Sequence, residues 1–147
     1  MKVFYLLAAF AAGIMMPVQA GINSLLGAHL RSPFLAALVS FCVGASVLAL
    51  FCLLMRVPLP GIQVLGRVPV WMFTGGLLGA FFVTTAIILA PKLGAVTLLA
   101  SLITAQMIAS LILDHFGLIG YPAHHINFWR IMGVACLITG VILVQRF

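Results

Sequence analysis

Acidic side chains are almost absent. Asp114 is the only carboxylate residue in 147, and Asp, Glu, Lys and Arg together make up 5% of the chain. Soluble domains carry about 25% charged residues, so this composition excludes one. With one carboxylate there is no acid–base pair, and no nucleophile has a plausible base, so neither an enzyme nor a dependence on any cofactor is expected. Cysteine is scarce as well. Cys42, Cys52 and Cys136 lie inside apolar runs without CxxC or CxxH spacing. They read as small buried hydrophobes and leave the redox compartment open. Basic clusters are also missing: the seven Lys and Arg are scattered singly. The net charge of +6 therefore does not mark a nucleic-acid partner; these residues read as topology signals at helix ends.

What is present is hydrocarbon: 65% hydrophobic residues and a mean hydropathy of +1.36. The chain reads as a single all-α transmembrane domain, residues 1–147, with five spans at about 4–28, 33–55, 69–89, 92–113 and 127–144. The N-terminal stretch, with Lys2, an apolar run and Val18-Gln19-Ala20, imitates a cleavable secretory signal. The apolar run continues through Gly21, Ile22, Leu25 and Leu26, which favours a first membrane helix. Pro17 near its middle predicts a kink or a freed carbonyl. Ser32 before Pro33 is a helix start, and Gly117 suits a helix end. Residues 56–69, with three prolines and two glycines, form an interfacial loop, and Trp71 suits the headgroup level.

The stretch 91–120 carries most of the polar chemistry, because Gln106, Ser110 and Asp114 recur every four residues and so share one helical face. In the first span Gln19 and Asn23 make a second such stripe. An unpaired amide in hydrocarbon costs several kcal/mol, so both stripes are expected to face protein or a wet cavity. They serve either to join helices or to line a solute path. Small-residue spacings at Gly75 and Gly79, and at Gly133 and Gly140, predict close helix or dimer contacts, with small Ser40, Gly44 and Ser46 of the second span read as packing. Asp114 and His115 are expected at the membrane surface. With His124 and His125 they fit no standard zinc spacing, so no metal site is expected.

Five spans put Lys2, Arg56, Arg67 and Arg130 on one side and Arg31, Lys92 and Arg146 on the other. A four-to-three split hardly instructs the insertion machinery, so both orientations are expected. Two oppositely inserted copies make an inverted-topology pair of ten helices. The order of motifs is P-x-Q-x-x-x-N at Pro17, Gln19 and Asn23, then SPFLAALVSFCVG, GGLLGAFFV, PKLGAV, the Gln of the fourth span and DHFGLIG. It resembles the YdcZ-like five-helix branch of the drug/metabolite transporter superfamily. That resemblance implies a cytoplasmic (inner) membrane carrier working as an antiparallel homodimer among membrane lipid. The last span, GVACLITGVILV, is similar to the dimerising helix of small multidrug resistance transporters. The first span lacks the mid-membrane Glu with which those proteins exchange protons for cations. A small polar, neutral or zwitterionic solute is the expected cargo, held by Gln19, Asn23 and Gln106, with Ser110 secondary. A dual-topology ion channel and a non-transporting assembly protein are the alternatives.

Overall fold

The computed structural model describes residues 2–146. It divides into two compact units, the first ending at Pro91 and the second beginning at Lys92. The first contains α1 (Lys2–His29), α2 (Pro33–Leu54), the single-turn α3 (Ile62–Leu65) and a 3-10 turn, Val70–Phe73, that leads into α4 (Thr74–Leu93), whose last two residues fall in the second. The second is built from α5 (Ala95–Phe116), a 3-10 turn at Leu118–Gly120 and α6 (Phe128–Arg146). Four continuous helical stretches, Val3–His29, Pro33–Leu54, Val70–Leu93 and Ala95–Phe116, are long and apolar enough to cross a membrane. The fifth, Phe128–Val144, is apolar but shorter.

Local chemistry sets the helix ends. Ser32, in extended conformation, accepts the Leu35 N–H on its hydroxyl at 3.2 Å, and Pro33 follows at the first helical position. α1 and α2 both close with the chain bent left-handed after the last turn. The Ser32 N–H donates to the Gly27 carbonyl at 3.1 Å with Arg31 at φ 52°, and the Val57 N–H to the Cys52 carbonyl at 2.9 Å with Arg56 at φ 51°. Glycine usually takes this position, but here arginine holds it beside the negative helix end. Gly117 closes α5 at φ 60°.

The boundary between the third and fourth spans differs from expectation. α4 runs through Pro91 to Leu93, and α5 starts at Ala95 rather than near 92. The break falls at Gly94, whose φ of 74° and ψ of 161° suit only glycine, so backbone freedom rather than the proline sets the helix boundary. α1 likewise runs on through Pro17. Proline brings no N–H, so the Gly13 carbonyl one turn earlier loses its helical partner.

The core of the first unit is small. Ala36, Ala37 and Ile87 are buried, with Leu26 and Val83 packed against them. Close approach occurs at Gly27, where an added Cβ would lie 3.2 Å from the Ile87 Cγ2. Gly79 makes an ordinary contact, 3.6 Å to the Phe41 ring, whereas Cβ atoms built on Gly75, Gly133 and Gly140 would meet nothing within 4 Å. Those three glycines are thus not the tight helix contacts within the chain that their spacing suggested. Spacing shows which residues share a face but not whether another helix lies against it. Cys42 and Cys136 correct the reading in the same way: both are exposed, and Cys52 is only half-buried. At most 11% of any spanning stretch is buried, so most apolar side chains lie on the surface, where lipid tails are as apolar a surrounding as Leu.

Candidate functional site

In the first unit the amide stripe of α1 meets α2. Asn23 is the buried polar residue of the described core, 5% exposed. Its Nδ2 donates to the Ser40 Oγ at 3.1 Å, which removes the penalty of a bare amide in a low-dielectric interior. Gln19, one turn earlier on α1, is exposed. It lines two clefts. One, of about 340 Å³, has Gln19 and Ser40 as its polar groups, Phe41, Leu48 and Val83 as apolar wall, and room left by Gly44 and Ala45. The other, of about 420 Å³, runs along α1 past Met15, Met16, Val18 and Ile22 to Asn23. Gln19 and Asn23 therefore line one cleft, as their four-residue spacing suggests. Ser40 belongs with them, and its place in a run of small residues had read only as packing. A lone hydroxyl on an apolar helix gives no sign of what faces it.

In the second unit Gln106 is exposed, near the middle of α5. Ser110 and Asp114 line a cleft of about 200 Å³ with Met107, Leu111 and, from α6, Arg130, Gly133 and Val134. Asp114 Oδ2 lies 3.3 Å from Arg130 Nη1, each side chain about one-third exposed. The same Nη1 donates to the His124 carbonyl at 3.1 Å, and the His124 N–H donates to the Asp114 carbonyl at 2.7 Å. The Ile126 N–H donates to His115 Nδ1 at 3.2 Å. A backbone N–H only donates, so this His115 nitrogen carries no proton. Asp114 and His115 thus pin the α5–α6 loop. Arg130, which from sequence reads as a topology charge, is the partner of the only carboxylate side chain. Among the described residues no cluster of three or more His, Cys, Asp or Glu is placed to hold a metal ion.

The sequence model of a family described as "Putative inner membrane exporter, YdcZ" matches residues 4–143. The inner membrane protein YdcZ of Escherichia coli strain K12 is 40% identical over 76 residues, which cover 52% of this chain and 50% of that protein. The match thus spans about half the length of that curated relative. No solved structure matches.

Proposed function

The chain belongs to the YdcZ family, and from that premise we propose that it carries a small polar metabolite by alternating access, as an antiparallel, dual-topology homodimer. It is an integral protein of the bacterial inner membrane. The observation that carries the transport reading is the exposed Gln19 amide. It sits near the middle of an apolar helix and lines two clefts, a costly placement unless something hydrogen-bonds there. Gln19, Asn23 and Gln106 are the main solute contacts in this reading, and Ser110 is secondary. Asn23 contributes by its carbonyl oxygen and its second amide N–H, since the other N–H serves Ser40. The depth of each amide suits a site near the middle of the membrane. Gln19 lies about 4.5 Å past the midpoint of its span, and Gln106 close to the midpoint of its own. Both amides therefore lie within a helical turn of mid-span whichever way a copy is inserted. Inverted-repeat carriers hold their substrates at that depth.

The faces of Gly75, Gly133 and Gly140 left open within the chain suit contact with the second copy. The test is saturable uptake into proteoliposomes with Gln19→Leu and Gln106→Leu made separately. Each is expected to reduce flux at least about tenfold with the dimer intact, the scale of one lost buried hydrogen bond. Normal transport by both would reduce the stripes to helix contacts. Large unitary currents would indicate a channel, and neither flux nor current an assembly protein.

A further inference from the structure

In the membrane helices, hydroxyls commonly satisfy themselves. Ser46 donates to the Cys42 carbonyl, Thr104 to that of Ala100 and Thr139 to that of Ala135, each at 2.9 Å. Ser40 is arranged differently. Its oxygen accepts from Asn23 Nδ2 across the α1–α2 contact, while its side chain lines the cleft that Gln19 lines from the opposite helix. A serine hydroxyl has one proton and two lone pairs. With one lone pair engaged by Asn23, Ser40 keeps its O–H donor and a second lone pair for the cleft. Across from it the Gln19 amide presents both a donor and an acceptor. Every residue lining the cleft is uncharged. A charged ligand would lose its hydration there without a counter-charge, whereas a neutral polar group needs only one or two hydrogen bonds. Small residues make the space: a Cβ built on Gly44 meets nothing within 4 Å.

We propose that this α1–α2 cleft is the solute seat, with Ser40 donating to an acceptor oxygen on a small, uncharged, partly apolar solute and Asn23 positioning that hydroxyl. The proposal rests on the carrier reading but narrows it to one of the two clefts beside Gln19 and adds Ser40 to the contacts. The apolar end of the solute lies against Phe41, Leu48 and Val83. Gly44 opens the seat, so a side chain placed there reports on what fills it.

The test uses water-dependent thiol chemistry, since the thiolate that reacts forms in water and not among lipid tails. In a full chain with Cys42, Cys52 and Cys136 replaced by Ala, single Gly44→Cys, Val43→Cys and Val47→Cys variants are compared in membrane vesicles. Val43 and Val47 neighbour Gly44 on α2 and are 59% and 61% exposed, outside the cleft lining. The probe is 2-hydroxyethyl methanethiosulfonate, itself small, uncharged and polar. Gly44→Cys is expected to react at least about tenfold faster than either control. Adding Ser40→Ala is expected to slow it about threefold, and Ser40→Thr, which keeps the hydroxyl, to restore the rate. Equal rates at all three positions overturn the seat, and a rate indifferent to Ser40→Ala overturns the role of its hydroxyl. Slow labelling at position 44 with Gln19-dependent flux intact sinks this inference and leaves the carrier reading standing. A reactive seat in a protein without flux does the opposite to the carrier reading.

Discussion

Asp114 shows how much a single side chain decides in a chain with so little charge. Its carboxylate meets Arg130, and its backbone carbonyl receives the His124 N–H, so the residue joins the end of α5 to the start of α6. It stands near the end of its helix, about two turns beyond Gln106, which argues for structure rather than proton coupling. Asp114→Asn is expected to leave flux per purified molecule largely unchanged while lowering stability by about 1 kcal/mol, the upper range for a partly exposed ion pair. A thermal melt and a proteoliposome assay on the same preparation check both halves; lost flux with an unchanged melt would make the carboxylate part of transport. Periodicity alone picks out the stripes of Gln19 with Asn23 and of Gln106, Ser110 and Asp114. It says nothing of Ser40 or Arg130, because a repeat along one helix identifies a face and not the neighbour opposite it.

At the scale of elements, the legible parts of the fold are those with a local chemical cause. Ser32-Pro33 starts α2 and Gly117 ends α5 because capping and left-handed backbone are properties of a few adjacent residues. The α4–α5 boundary escapes that logic. Pro91 suits a helix start, yet α4 retains it and ends only at Gly94. Helix contacts divide the glycines in the same way, and the division is testable. Gly27→Leu forces a side chain against Ile87 and is expected to destabilise the folded chain by about 2 kcal/mol, as overpacking does. Gly140→Leu meets open space within the chain and is expected to spare the fold while weakening the dimer by about 1 kcal/mol or more. Thermal unfolding reads the first and dimer dissociation in detergent the second. A Gly140→Leu dimer as tight as the parent would move the interface to another face.

For the whole molecule the basic residues matter through their number on each side. The four-to-three split predicts that a reporter fused after the last residue is active on both sides of the membrane in comparable amounts, and a single active side would remove the antiparallel pair. Two lysines added to either set of loops are expected to fix one orientation and abolish flux, with rescue by a copy biased the other way.

The ion pair at the α5–α6 loop bears on how the chain enters the bilayer at all. α6 has the shortest apolar stretch and carries Arg130 in its first turn, so alone it is the segment least inclined to leave the translocon for lipid. Its neutralising partner has already been synthesised, one helix earlier. The two helices are therefore expected to partition as a hairpin, with the charge on α6 masked by Asp114 before either meets hydrocarbon. In a cell-free insertion assay, α6 alone is expected to remain largely outside the membrane and the α5–α6 pair to insert. Asp114→Asn should return the pair toward the behaviour of α6 alone. Efficient insertion of solitary α6 would show that the carboxylate has no part in biogenesis.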